Sequence, residues 1–199
     1  MNRPALFFLS ALAAACGSVP TTHYYVLAPP MAEDDGSSTE AGGVRLGVET
    51  FAVDPPYDQN RLVYRVGRDS PEVGFYNHHR WSASPGRLVA TALAAGLEGT
   101  PGLADVEPAR VTGSYTHLLA GRVVALEEID LPGGGLQVAR IQIDLKLLEP
   151  DGGPVIWERF VTAEEEGRAE DAADVIRQLQ AAFAEVVRTV RTELETLFR

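Results

Sequence analysis

Any reaction chemistry in this chain would have to be built from four histidines, one cysteine and scattered carboxylates. His78 and His79 are adjacent; on a strand they point to opposite faces and do not converge on one metal ion. His23 and His117 stand alone in the sequence. The acidic residues fall in runs, Asp34-Asp35 and Glu164-Glu165-Glu166, of the kind that forms solvated surface. Acid–base work would need two carboxylates brought together from separate strands. The sequence holds no G-x-S-x-G elbow, H-E-x-x-H, P-loop, dinucleotide fingerprint or EF-hand loop. With a single cysteine, Cys16, neither an intramolecular disulfide nor a cysteine-based metal site can form. No catalytic residue, cofactor or metal ligand is expected.

The densest side-chain chemistry lies instead between Arg61 and Leu97, in RLVYRVGRDSPEVGFYNHHRWSASPGRLVATALAAGL. Tyr64, Phe75, Tyr76 and Trp81 suit a core, where aromatics supply much of the buried area. With Arg61, Arg65 and Arg80 around them they equally match the composition of protein interfaces. The two readings can coexist, because alternate residues on a strand face opposite ways. Arg61, Tyr64, Arg65, Tyr76, Arg80 and Trp81 are the candidate partner-docking residues.

These side chains need elements to hold them. A short edge strand is expected over Tyr24 to Leu27, closed by Pro29 and Pro30, and a polar loop over 31–43. Residues 44–53 alternate as a half-buried strand. Leu62 to Val66 and Val73 to Tyr76 give two more, kept apart by the turn-rich GRDSPE. Ser84 is placed to cap a helix with Pro85 at its first position, and Leu88, Val89, Ala92, Leu93 and Leu97 line one face of it. His117 to Ile129, Gln137 to Leu148 and Val155 to Val161 read as a three-stranded antiparallel meander joined by Pro132-Gly133-Gly134-Gly135 and Pro150-Asp151-Gly152-Gly153 turns. The acidic stretch 164–170 then leads to a long amphipathic helix from Asp171 to Phe198, apolar at Ile176, Leu179, Phe183, Val186, Val187, Val190, Leu194 and Leu197. The fold class is α+β: a mainly antiparallel sheet with two amphipathic helices packed on one face.

The chain has 199 residues, 45% hydrophobic, with a net charge of -11. That suits one globular domain, and it excludes nucleic acid as a partner, because phosphate-backbone binding needs clustered cations. Sixteen arginines accompany one lysine, Lys146. The N-terminus has the layout of a signal peptide: Arg3, the apolar run ALFFLSAL from Ala5 to Leu12, then Ala13-Ala14-Ala15 before Cys16. The run falls short of the roughly 20 residues needed to span a bilayer. An exported lone thiol after small residues is similar to a lipobox, which implies acylation of Cys16, with a palmitate-type anchor; the alternative is an ordinary signal peptide cleaved nearby that leaves an unmodified cysteine. Gly17 and Ser18 lack the Asp typical of inner-membrane retention, so an outer-membrane anchor facing the periplasm is expected. The expected organisation is residues 1–15 as signal peptide, 16–43 as lipidated tether, edge strand and flexible loop, and 44–199 as a single domain.

The succession AAAC, HYYVLAPP, LGVETFAVDPPYDQNRLVYR, GFYNHHRWSASPGRLVATAL and a terminal helix resembles the ABC-type transport auxiliary lipoproteins associated with MCE-type lipid transport systems. Arg61-Leu62-Val63-Tyr64-Arg65, Phe75-Tyr76 and Arg80-Trp81 before Ser84-Pro85 carry most of the likeness. Ala13 stands where family lipoboxes have Leu, and the acidic loop 31–43 is long. The resemblance implies a periplasm-facing outer-membrane lipoprotein without catalysis. It would work with an inner-membrane ABC transporter and an MCE-domain protein on lipids or other hydrophobic compounds, by docking a partner assembly or self-assembling as a homo-oligomer. Two alternatives belong to other classes: a periplasmic lipid-binding carrier, and a periplasmic enzyme.

Overall fold

A computed structural model describes residues 20–28, 43–149 and 153–199. In chain order the elements are β1 (His23–Tyr25), β2 (Val44–Val48), β3 (Ala52–Val53), β4 (Arg61–Val66), β5 (Val73–Trp81), α1 (Pro85–Leu97), β6 (Leu103–Pro108), β7 (His117–Asp130), β8 (Gln137–Leu148), β9 (Val155–Gly167) and α2 (Ala172–Leu197). Cys16 lies outside the described residues, as do the loop 31–42 and the turn 150–152.

The sheet is laid around β7. Along one edge, β8 pairs with it antiparallel from Leu118↔Leu148 to Asp130↔Gln137, and β9 continues the meander antiparallel to β8. Along the other edge, three short strands follow one another, each parallel to β7: β2 at His117 to Leu119, β3 at Arg122 and Val123, and β4 at Glu127 to Asp130. Each of the outer two is extended once more, β2 by β6 in parallel and β4 by β5 antiparallel, with β1 parallel to β5 at the margin. The nine-stranded sheet is thus mixed. Its long ladders are antiparallel, while the parallel pairings are short.

Both helices cover the same face. The inward side of β8 presents Ala139, Ile141, Ile143, Leu145 and Leu147, which form one core with Val89 and Leu93 of α1 and Leu179, Phe183, Val186, Val190 and Leu194 of α2. Burying each large apolar side chain contributes about 1.5–3 kcal/mol, and this layer fixes the sandwich. Asp171 caps α2, its Oδ1 accepting from the Ala173 and Asp174 amides at 2.8 and 3.0 Å. Ser84 occupies the cap position of α1 with Pro85 following, but its hydroxyl makes no cap bond. The first turn of α1 is instead pressed against the chain beneath it. A Cβ on Gly86 would sit 2.0 Å from the Phe51 carbonyl oxygen. Gly86→Ala is therefore expected to destabilise the fold by about 2 kcal/mol in denaturant melts, because backbone cannot yield to overpacking and the roughly 1 kcal/mol helix-propensity gain of alanine is too small to offset it.

Several boundaries differ from the sequence reading, starting with β1, which runs from His23 to Tyr25 and stops short of the Leu27 expected. Residues 44–53 form two strands, because Phe51 turns inward and its ring lies on Gly121, where a Cβ would come within 2.7 Å. β6 is an unforeseen strand; its buried Leu103 and Val106 do not alternate. β5 runs on to Trp81 rather than stopping at Tyr76. β9 runs to Gly167, because β8 offers it a full-length partner and its glutamates face solvent.

Candidate functional site

The corner formed by β4, β5 and β1 is built on a large irregularity. Arg61 pairs with Arg80 and Val63 with Phe75, so β4 advances two residues while β5 advances five. The slack falls in Tyr76-Asn77-His78-His79. Bulges re-aim side chains, and here Tyr76 and His79, three apart in sequence, meet edge to face at 5.5 Å.

The result is a continuous row of rings. Tyr64 lies across Gly74 of the neighbouring strand, where a Cβ would fall 2.2 Å from its ring, and meets Tyr76 edge-on at 5.5 Å. His79 stacks on His23 at 5.2 Å and on Tyr25 at 5.8 Å, and the Tyr25 hydroxyl hydrogen-bonds His79 Nδ1 at 2.8 Å. His23, isolated in the sequence, is brought to His79 by the β1–β5 register. Burial, followed by the neighbouring His23 and His78 charges, pushes the His79 pKa down. Burial and then Asp171 push the Tyr25 pKa up. The neutral forms of both rings are favoured.

Two consecutive glutamates of β7 anchor this corner from opposite sides of the sheet. Glu127 faces away from the helices with its side chain fully buried. It accepts from Tyr57 Oη at 2.6 Å, from Arg65 Nη2 at 3.2 Å and from Arg140 Nε at 3.1 Å, with Arg140 Nη2 closer still. Burial and then the bond to Glu127 push the Tyr57 pKa up to about 12. Glu128, 2% exposed, faces the helix side and accepts from Tyr76 Oη at 2.6 Å. Loss of hydration pushes its carboxyl up to about 7; the Tyr76 hydrogen bond works against the rise, and Asp130 adds to it.

The six docking candidates therefore separate. Trp81 is 2% exposed and belongs to the core beside α1, so it cannot meet a partner as the protein stands. Arg65 is committed to Glu127 and to the Ser70 carbonyl, and Tyr76 to Glu128. Arg61, Tyr64 and Arg80 are half-buried at the surface. Arg61 lies 4.5 Å over the Phe75 ring and donates to Gln59 Oε1 at 3.0 Å. The sequence reading missed Glu127, Glu128, Tyr57 and Arg140. The available signal was a pair of carboxylates inside the apolar run VVALEEID, because buried acids are nearly always partnered. Among the described residues no three His, Cys, Asp or Glu side chains gather as a metal site. His117 sits apart from the corner, against Phe198.

The sequence from 25 to 191 matches the model of the ABC-type transport auxiliary lipoprotein component family. The chain belongs to that family. The fold agrees with two solved structures. A protein from Xanthomonas campestris superposes with a TM-score of 0.70 at 19% identity, over 85% of this chain and 93% of its own. A second, uncharacterized protein gives 0.67 at 19% identity, over 88% and 99%. At that identity the likeness speaks for the fold alone. No curated protein matches the chain.

In this ABC-type transport auxiliary lipoprotein, the row of rings and the two glutamates hold β1, β4, β5 and β7 to one another. The hydrogen bonds of Glu127 and Glu128 are spent within the protein, and the stacked imidazole and phenol are held to each other. Among the described residues no helix is long and apolar enough to cross a membrane.

Proposed function

We propose that this protein is a non-catalytic auxiliary component of an MCE-type ABC transport system for lipids or other hydrophobic compounds. In this reading it is anchored to the outer membrane through acylated Cys16 and faces the periplasm. The observation that carries the reading is the family match across most of the chain. The corner supports a docking role: its arginines and tyrosines are held on a rigid strand frame, and Arg61, Tyr64 and Arg80 present guanidinium and phenol groups at the surface. Such groups dominate the energetics of protein interfaces.

Affinity capture of the tagged protein from envelope membranes is expected to recover an MCE-domain protein together with the ABC subunits. Arg61→Glu combined with Arg80→Glu is expected to abolish that recovery while the protein stays folded, the loss of the Arg61 contacts with Phe75 and Gln59 costing about 1–2 kcal/mol in unfolding. Capture of no transport component, or loss of capture only through unfolding, would count against the corner as the docking surface. Mass spectrometry of the mature N-terminus, expected to show acylated Cys16, tests the anchor separately.

A further inference from the structure

Among the described residues four strands pair on one side only, and they are unequal: β3 has two residues. β1 has three residues, and β6 has six and closes on Pro108. β9 has thirteen and, among the described residues, pairs only with β8. A long strand with one unpaired edge is a template for another chain, and proteins usually blunt it with charges, proline, a bulge or extreme shortness; β9 is guarded by charge, at Glu158, Arg159, Glu164, Glu165 and Glu166, which leaves it open to a partner of opposite sign. β9 contains neither proline nor lysine, and its register against β8 is irregular only at the Val155 end.

Its side chains show what would fit. On the face turned from the helices, Ile156, Glu158, Phe160, Thr162, Glu164 and Glu166 follow in alternation, opposite β8 residues whose neighbours fill the core. Phe160 is 53% and Ile156 37% exposed, large values for such side chains. In the antiparallel register centred on Val161, a second copy of the same strand fits badly. Antiparallel pairing of two β9 strands about Val161 places Glu158 opposite Glu164 and Ile156 opposite Glu166, and like charges set directly across a ladder destabilise it. The chain's net charge of -11 adds to the repulsion between copies. A strand with cations opposite Glu158, Glu164 and Glu166 and apolar side chains opposite Ile156 and Phe160 satisfies the main-chain groups, the charges and the apolar surface together. Glu164 is already bound by Arg68 at 2.7 Å, so Glu158 and Glu166 would carry most of the charge selection.

We infer that the outer edge of β9 receives, by strand addition, an extended segment of a partner protein in which basic and apolar residues alternate on one face. In strand order β7 and β8 separate this margin from β4, β5 and β1; Arg68 of the β4–β5 turn reaches Glu164, but Arg61, Tyr64 and Arg80 form no part of this surface, which stands or falls independently of docking at the corner.

The probe is a synthetic peptide spanning Ile156 to Glu166, with Lys opposite Glu158, Glu164 and Glu166, Val opposite Ile156 and Phe160, and Thr elsewhere. Titration calorimetry on the purified protein is expected to show binding that weakens as salt rises. Hydrogen–deuterium exchange is expected to show protection confined to β9. Ile156→Lys with Phe160→Lys should weaken binding at least roughly tenfold without altering the melting curve. Absence of binding overturns the inference, as does equal binding of a peptide of identical composition with its lysines moved to one end. Protection of β9 that grows with the concentration of the protein alone also overturns it, because it would identify a second copy as the occupant.

Discussion

Replacing Glu127 with alanine is expected to destabilise the protein by about 3–5 kcal/mol, because removing one member of a buried ion cluster strands the others. Its fully buried carboxylate is the common acceptor for Tyr57, Arg65 and Arg140. Without it, two guanidinium groups with only 16% and 18% of their side chains exposed face one another with no anion between them. For a chain of this size the loss corresponds to a fall in Tm of roughly 10 °C in a thermal melt. Glu127→Gln leaves Tyr57 an acceptor and is expected to cost less. A triple variant, Glu127→Leu with Arg65→Met and Arg140→Met, should recover most of the loss, because apolar replacement of a whole buried ion cluster is often neutral or better. Failure of that recovery would show that the arginines matter for packing rather than for the charge left behind.

The position of Glu127 explains the size of the effect. It lies on the central strand and binds side chains from both neighbours, Arg65 on β4 and Arg140 on β8, where Arg140 is also its register partner. Glu128, the next residue, points through the sheet to the other side and holds Tyr76 at the start of the β5 irregularity. One strand thus fastens the corner from both faces through consecutive carboxylates. Arg65 and Tyr76, grouped with the docking residues on composition, are consumed by this fastening. Of the six residues proposed for docking, Arg61, Tyr64 and Arg80 are the ones left half-buried at the surface without such a commitment to Glu127 or Glu128.

Parts of the fold were legible because local periodicity and tertiary role coincide. The alternation of Ala139, Ile141, Ile143, Leu145 and Leu147 marks β8, and the three-and-four spacing from Ile176 to Leu194 marks α2. Both patterns are imposed by one continuous apolar layer. Two short strands were not legible: β3, which breaks off from the strand expected over residues 44–53, and β6 take their partners from distant segments, and two and six residues carry too few alternations to reveal a period. The corner resisted for a related reason. The bulge breaks alternation where the residues are most distinctive, so sequence spacing set Tyr76 apart from His79 and left His23 isolated, whereas the fold joins all three. Trp81 illustrates the ambiguity of composition, since an aromatic among arginines suits a core as well as an interface and here is core.

Glu128 gives the protein an unusual dependence on pH. Its carboxyl titrates near 7 in the folded chain against 4.5 for the free group, so the folded state holds the proton more tightly than the unfolded state does. The stability this contributes is fully present below pH 4.5 and is lost as the pH rises to about 7. At 1.36 kcal/mol per pH unit the window corresponds to about 3 kcal/mol. Glu128→Gln keeps the shape and an acceptor for the Tyr76 hydroxyl while removing the ionisation. The variant is therefore expected to match the parent near pH 4 and to exceed it by about 3 kcal/mol at pH 8, measured as the difference between their denaturant unfolding curves so that all other titrating groups cancel. Tyr76→Phe works in the opposite sense: it deletes the hydrogen bond that favours the ionised carboxylate and should steepen the loss of stability over the same window. If Glu128→Gln were no more stable than the parent at pH 8, the ionised carboxylate would have to find solvent or a cation in the folded state, and the packing of Tyr64 and Tyr76 around it would not be the closed arrangement that fixes the corner.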